Sequence, residues 1–304
     1  MNPILAVGSV AFDSIKTPFG EASRVVGGAA TYFSLAASFF TEVRIVAVVG
    51  QDFGANVDRV FGGRRIDLTG LQKVPGETFR WKGEYGFDLN SRETIYTHLN
   101  VFEHFKPVIP EAHRESAFVF LGNIQPLLQM DVLDQVQRPR LVGADTMNYW
   151  IERAPEELRQ VLKRVDVLLI NDSEARELAR EANLVTAART IQAMGPRTLV
   201  IKRGEHGVLM TRREGGFFAA PAMPLEEVFD PTGAGDAFAG GFLGYLASCE
   251  EVSDSAMARA IIYGSTLASF AVEDFSVERL LRLTKDEISA RFNEFKKLTH
   301  FDVV

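Results

Sequence analysis

Short apolar runs alternate with longer amphipathic stretches along most of the chain. Each run has the length and composition of a strand buried on both faces. The predicted strands lie at residues 4–9, 43–50, 117–122, 140–145, 166–171 and 198–204. Helix-like stretches separate them, such as residues 29–40 and residues 155–165, and the second begins with a proline and two acids that favour a first turn. This alternation predicts an α/β fold with a mostly parallel sheet and helices on both of its faces.

Residues 77–101 depart from this alternation. Two segments, residues 77–85 and 94–101, flank the loop GFDLNSR, and each places mostly apolar or aromatic residues on one face of a strand: Phe79, Trp81 and Tyr85 in the first, and Ile95, Thr97, Leu99 and Val101 in the second. Period-two alternation predicts an antiparallel hairpin with one solvated face. In a parallel α/β protein such an insert is a lid over a site or an oligomer interface, and one surface can serve as both. The segment that follows Ser253 is predicted to be helical.

Polar residues stand where three of the predicted strands end. Asp145, Asn171 and Lys202 close the runs RLVGAD, DVLLIN and TLVIK. Ligands of open α/β sheets bind beyond the carboxyl ends of the strands. The sequence therefore predicts a site at this edge of the sheet.

The stretch DPTGAGDAF, which begins at Asp230, places a Gly-Ala-Gly segment directly before a predicted helix. A helix N-terminus presents unpaired amides to an anion, and glycine lets that anion approach the backbone closely. Asp236 lies in the first turn, where a carboxylate beside a bound phosphate suits a general base. The alternative is an acid that only complements the helix dipole. Further along this helix, Gly240, Gly241 and Gly244 indicate close packing on one face against a neighbour.

Composition narrows the possible classes of function. The 304 residues carry a formal net charge of -7, which argues against a nucleic-acid surface. The single cysteine, Cys249, excludes an internal disulfide and predicts a reducing cytoplasmic setting. No uninterrupted apolar run reaches membrane-spanning length, and the five histidines lack metal-ligand spacing. The P-loop, the dinucleotide fingerprint and the serine-hydrolase elbow are all absent from the sequence.

Several motifs occur in the order found in the ribokinase-like carbohydrate kinases, the PfkB family. DPTGAGD resembles the C-terminal signature of that family, and GGAATYFSLAA resembles its N-terminal glycine pair. GSVAFD, GQDFG, NDSE and KRGEHG match further family segments. The resemblance implies one kinase domain over residues 1–304, with a three-layer α/β/α core and a small antiparallel lid. That lid is expected mainly in residues 70–105, with residues 11–24 as a further candidate part.

The resemblance also implies roles for the residues of these motifs. Asp236 would be the catalytic base, and the amides of Gly233, Ala234 and Gly235 would form an anion hole for the transferred phosphoryl group. Asn171 and Glu174 would organise Mg²⁺ through its waters. A helix-capping box is the alternative for this last pair.

The nucleotide and the acceptor would contact further matched residues. Lys202, Gly204, Gly207 and Thr232 are assigned to the ATP side, although a hairpin turn equally accounts for the two glycines. Asp13, Gly27 and Gly28 are assigned to the hydroxyl groups of the acceptor, because paired carboxylate and backbone groups suit a polyol. Asp230 resembles a family position that helps to bind a monovalent cation, usually K⁺, and the alternative is that it fixes the turn.

Tyr32 departs from the family pattern, which usually has an asparagine that touches the sugar at this position. The change makes ribose in the usual pose doubtful. Asn148 is assigned to the acceptor, and the neighbouring Tyr149 and Trp150 would make the pocket more aromatic. Core or interface packing is the alternative for all three aromatic residues.

The leading hypothesis is an ATP-dependent kinase that phosphorylates an alcohol group of a sugar-like molecule. In the alternative hypothesis the acceptor is a nucleoside, phosphorylated at the ribose 5′-hydroxyl, with Tyr32, Trp150 and Phe12 stacked on its base. A nucleotide-binding protein without catalysis is a third hypothesis. The apolar face of the hairpin also suggests a homodimer formed through the lid.

Overall fold

The computed structural model describes residues 2–300, apart from the side chain of Thr299. The strands within this part of the chain are β1 Ile4–Val7, β2 Ala11–Thr17, β3 Gly20–Gly27, β4 Val43–Val49, β5 Ile66–Lys73, β6 Phe79–Tyr85, β7 Arg92–His98, β8 Phe118–Leu121, β9 Leu141–Asp145, β10 Val167–Asn171, β11 Thr198–Lys202, β12 Val208–Arg212 and β13 Phe217–Ala220. The α-helices are α1 Ala29–Ala37, α2 Gly54–Phe61, α3 Pro126–Gln135, α4 Asn148–Arg153, α5 Pro155–Leu162, α6 Asp172–Ala179, α7 Leu184–Met194, α8 Ala234–Ser248, α9 Asp254–Ala271, α10 Glu278–Arg282 and α11 Lys285–Thr299.

The central sheet has nine strands in the order β13-β12-β11-β10-β9-β8-β1-β4-β5. The pairs from β11 to β5 are parallel, and β12 and β13 extend the sheet in antiparallel fashion. All six predicted apolar runs form strands of this sheet. The prediction of a mostly parallel sheet is therefore confirmed.

Both faces of the central sheet are covered, which explains why its strands show no polar alternation. On one face, Leu5 and Val7 of β1 belong to a cluster that includes residues of α3, α5 and α7. On the other face, Ile4 and Ala6 belong to a cluster with residues of α1, α8 and α9. The core therefore has three layers, as the family resemblance implied.

A second, smaller sheet has the strand order β3-β2-β6-β7, and we call it the small sheet. The predicted antiparallel hairpin is present as β6 and β7, although the extended segment ends at His98, because Leu99 turns into a 3₁₀ helix that begins at Asn100. Residues 11–27 supply β2 and β3, so the small sheet includes the further segment proposed for the lid. Residues 70–73 were placed in the lid by the prediction, but they belong to β5 because they pair in parallel with β4.

The glycines of α8 allow close helix packing, as predicted. A Cβ on Gly240 or Gly244 would collide with α1, and a Cβ on Gly241 would come within 2.8 Å of the carbonyl oxygen of Tyr263 in α9. The three glycines therefore face two neighbouring helices rather than one. Within the described residues, no helix combines the length and apolar character needed to cross a membrane.

Candidate active site

The polar residues at the ends of β9, β10 and β11 form one cluster, as the sequence predicted. Asn171 and Lys202 are register partners in adjacent parallel strands. The ammonium group of Lys202 donates to Oδ2 of Asp145 at 3.3 Å. Burial lowers the pKa of Lys202, but the carboxylates of Asp145 and Glu174 outweigh it, so the pKa is raised overall. The ammonium group thus remains charged inside the cluster.

The glycine motif is held in place by the fully buried carboxylate of Asp230. Its Oδ1 accepts from the amide of Thr232 at 2.8 Å, and its Oδ2 accepts from the amide of Ser276 at 3.0 Å. Asp230 therefore fixes the turn. Both oxygens retain capacity for a cation, so the K⁺ assignment stays a prediction.

Gly233 adopts the left-handed conformation, with φ of +76°, and forms the N-cap of α8. A Cβ at this position would overlap the ring of Tyr32. Only glycine satisfies both constraints, since other residues are strained at this φ and have no room here.

The amides at the start of α8 differ in their availability. Among the described residues, the amides of Gly233 and Gly235 have no hydrogen-bond acceptor, whereas that of Ala234 donates to the carbonyl of Pro231 at 3.2 Å. A Cβ on Gly235 would stand 2.9 Å from Nζ of Lys202. The start of α8 therefore has two unpaired amides, and an ammonium group lies beside Gly235, an arrangement that can hold an anion. The assignment of the Ala234 amide to the anion hole stays a prediction. It requires this amide to donate to the anion and to the carbonyl of Pro231 at the same time.

Asp236 lies in the first turn of α8, beside these amides. Burial raises the pKa of its carboxyl to about 7, the charge of Asp145 adds to this effect, and Lys202 and Arg92 oppose it. A carboxylate with a pKa near neutrality is suited to accept a proton at physiological pH.

Asn171 and Glu174 form the capping box that was the alternative for this pair. Oδ1 of Asn171 accepts from the amide of Glu174, and Oε2 of Glu174 accepts from the amide of Asn171, both at 2.8 Å. Burial raises the pKa of Glu174 to about 7, and Asp145 contributes further. Its Oε1 accepts no hydrogen bond from the described residues, so one oxygen remains for a metal-bound water. Within residues 2–300 no group of three or more acidic, histidine or cysteine side chains is placed to hold a metal directly, and a single free carboxylate oxygen fits Mg²⁺ that keeps most of its waters.

The predicted acceptor residues meet where β2 and β3 approach α1. Asp13 is buried, and burial raises the pKa of its carboxyl to about 8, with further contributions from Asp230 and Asp236. A Cβ on Gly27 would overlap the carboxylate of Asp13, and Gly28, with φ of +96°, would place a Cβ 2.5 Å from the carbonyl oxygen of Ser9. The glycine pair therefore lets the Asp13 carboxylate lie against the start of α1.

Tyr32 is enclosed in the core, with 1% of its surface exposed. Its hydroxyl has no hydrogen-bond partner in the described part of the chain, and burial raises its pKa well above the usual value. The interpretation in which Tyr32 stacks on a base is wrong for this structure, because its ring is covered by Gly233. Phe12 is likewise buried, whereas Trp150 is half-buried and packs edge-on against the exposed Tyr149.

Asn148 and the KRGEHG segment keep their assignments only as predictions. The amide group of Asn148 donates to Glu177 of α6. Gly204 and Gly207 have φ of +55° and +80°, so they form the predicted turn between β11 and β12. Asn90, in the loop between β6 and β7, lies against Gly204, because a Cβ on that glycine would stand 2.6 Å from Oδ1 of Asn90.

Two residues of the small sheet reach the site without having been predicted. Thr232 donates through Oγ1 to the hydroxyl of Tyr85 at 3.0 Å. Arg92, the register partner of Tyr85, lies close enough for its charge to act on Asp236. Tyr85 shares one face of the predicted hairpin with Phe79 and Trp81, whereas no local signal marks Arg92.

Comparisons with known proteins agree with this architecture. Residues 2–281 match the model of the pfkB family carbohydrate kinases. A cytidine kinase from Thermococcus kodakarensis is 30% identical over 250 residues, which are 80% of this chain and 88% of that protein. The nucleoside kinase of Methanocaldococcus jannaschii shares the fold with a TM-score of 0.78 at 19% identity, over 97% of this chain and 99% of the other. A putative ribokinase II from E. coli, in complex with ATP and Mg²⁺, gives a TM-score of 0.79 at 18% identity, over 97% of this chain and 100% of the other. The chain belongs to the pfkB family of carbohydrate kinases.

Proposed function

We propose that this protein is an ATP-dependent kinase that phosphorylates an alcohol group of a small molecule, with Asp236 as the general base. One observation carries the proposal: the Asp236 carboxylate, with its pKa near 7, adjoins the unpaired amides of Gly233 and Gly235. A proton acceptor and an anion site in contact are what transfer of a phosphoryl group to a hydroxyl requires.

In the proposed reaction, the oxygen of the acceptor hydroxyl attacks the γ-phosphorus of ATP, and Asp236 takes the proton of that hydroxyl. The amides of Gly233 and Gly235, with the Lys202 ammonium group, stabilise charge on the phosphoryl oxygens. Glu174 would hold Mg²⁺ through its waters, and the bound ion would supply positive charge that offsets the charge of the nucleotide phosphates. The small sheet would exclude water, which otherwise competes with the acceptor.

The acceptor is proposed to be a nucleoside, phosphorylated at its ribose 5′-hydroxyl. A buried carboxylate at Asp13, beside the backbone of Gly27 and Gly28, suits the neighbouring hydroxyls of a ribosyl group. The similarity to a cytidine kinase supports a nucleoside over a free sugar. Because Tyr32 is enclosed, contacts with the base must come from other residues than Tyr32. A free sugar is the second candidate, since it offers the same hydroxyls to Asp13.

A panel of acceptors tests this function. Purified protein is given MgATP with cytidine, adenosine, inosine, ribose, fructose or inositol, and ADP release is measured for each. Activity with nucleosides alone would support the first candidate, and activity with sugars or inositol alone would support the second. ATP binding without transfer to any acceptor would instead favour a non-catalytic nucleotide-binding protein. Repeating the active assay with K⁺ replaced by tetramethylammonium tests the cation role proposed for Asp230.

A further inference from the structure

Arg92 projects from the small sheet at the point where that sheet joins the glycine motif. The register of β6 and β7 sets Arg92 opposite Tyr85, whose hydroxyl is hydrogen-bonded to Thr232 at 3.0 Å. The guanidinium group lies 5.3 Å from the centre of the Trp81 ring and within hydrogen-bonding reach of Tyr85. Two aromatic side chains of β6 therefore orient this cation.

The charge of Arg92 reaches three carboxyls that come from different elements. Burial raises the pKa of Asp13 in β2, of Glu174 in α6 and of Asp236 in α8, and the charge of Arg92 opposes part of that rise at each of them. These residues are the proposed acceptor, metal and base positions. A group close to all three is close to the place where the phosphoryl group moves from nucleotide to acceptor.

The positive charge of Arg92 is not neutralised by an ion pair with any described residue. Among the ion pairs formed within residues 2–300, none involves Arg92. Arg80, at the opposite end of β6, pairs instead with Glu77 at 2.7 Å and with Asp52 at 3.6 Å. A guanidinium group presents a planar fork of donors that matches two phosphate oxygens at once.

We propose that Arg92 is a further catalytic residue, which binds the phosphoryl group during its transfer. This inference rests on the proposed kinase function. The bond between the γ-phosphorus and the bridging oxygen breaks, its electron pair leaves with ADP, the acceptor oxygen bonds to phosphorus, and the hydroxyl proton passes to Asp236. The Arg92 fork offsets charge on the equatorial oxygens of the moving group. Because Arg92 belongs to the small sheet, this contribution is present only while that sheet covers the site.

The test compares Arg92→Ala and Arg92→Lys with the control Arg80→Ala, using the full-length protein, MgATP and the best acceptor of the panel. We expect Arg92→Ala to lower kcat about 100-fold or more, with little change in the KM of the acceptor. Arg92→Lys should retain an intermediate kcat, since it keeps the charge without the fork. Added guanidinium ion should restore part of the activity of Arg92→Ala and of no other variant. Arg80→Ala should keep the wild-type kcat.

Two further readouts separate catalysis from structure. Thermal unfolding should be the same for Arg92→Ala and wild type. The acid limb of the kcat profile of Arg92→Ala should move to higher pH, because Asp236 then keeps Lys202 as its neighbouring cation and loses Arg92. An unchanged kcat, or a loss without guanidinium rescue and matched by lower thermal stability, would overturn the role of Arg92. Absence of any kinase activity in the wild type would instead overturn the proposed function on which it rests.

Discussion

Replacing Asp236 by asparagine removes the proposed base while leaving the shape of the side chain nearly unchanged. A positioned general base contributes about 10²- to 10⁴-fold to a rate, so we expect Asp236→Asn to lower kcat by that factor. The affinity for ATP should change little, because the amides of Gly233 and Gly235 remain. ADP release and ATP-binding calorimetry measure the two quantities.

The same substitution is expected to stabilise the fold above neutral pH. Burial raises the pKa of Asp236 from 3.8 to about 7, so the folded state binds its proton more tightly than the unfolded state does. The free energy of unfolding therefore falls as pH rises from about 4 to about 7, and the loss persists above that range. A shift of roughly three units corresponds to a ceiling of about 4 kcal/mol. Because the carboxylate is partly exposed and keeps some hydration, we expect Asp236→Asn to be more stable by about 1–3 kcal/mol at pH 8.

Urea denaturation of wild type and Asp236→Asn at pH 4 and pH 8 measures this difference. The variant should gain stability at pH 8 and almost none at pH 4. Asp131→Asn is a matched control, since Asp131 lies exposed on α3, and it should change neither kcat nor the pH dependence. A stability difference that is equal at both pH values, or turnover by Asp236→Asn within a few-fold of wild type, would refute the reasoning.

Three further predictions follow from the packing. Tyr32→Phe removes a buried hydroxyl without a described partner, so urea denaturation should show a gain of about 1 kcal/mol, and a clear loss would mean that the hydroxyl is bonded. Gly240→Ala should cost about 1–3 kcal/mol by overpacking α8 against α1. Gly54→Ala is its control, since open space surrounds that Cβ and alanine favours a helix, so it should be neutral or stabilising. If the protein dimerises through the small sheet, Ile95→Asp with Leu99→Asp, both on its exposed side, should shift its size-exclusion volume to that of a monomer; a wild type that is already monomeric removes the dimer prediction.

The central sheet could be predicted because its strands are buried on both faces and carry few polar positions. The edge of the site could be predicted for the same reason, since Asp145, Asn171 and Lys202 follow such strands directly. Gly233 was recognisable because its Gly-Ala-Gly segment stands directly before a predicted helix, where glycine lets an anion approach the backbone. In each case the structural feature is determined by residues that are close to one another in the sequence.

The missed features depend on contacts between distant segments. Only the family resemblance pointed to residues 11–24 as part of the lid, because β2 finds its parallel partner β6 more than 60 residues away. Arg92 is brought near Asp236 by the pairing of β6 with β7 and by the hydrogen bond that Thr232 donates to Tyr85. Tyr32 looked like a pocket residue in the sequence, but the left-handed Gly233 covers its ring.

A crystal structure with a non-hydrolysable ATP analogue, Mg²⁺ and the preferred acceptor would test the central claim most directly. The account predicts an oxygen of Asp236 about 2.6–3.2 Å from the acceptor hydroxyl that faces the γ-phosphate. It also predicts the amides of Gly233 and Gly235 about 2.7–3.1 Å from γ-phosphate oxygens. A phosphate chain bound away from the start of α8, or a hydroxyl out of reach of Asp236, would contradict it.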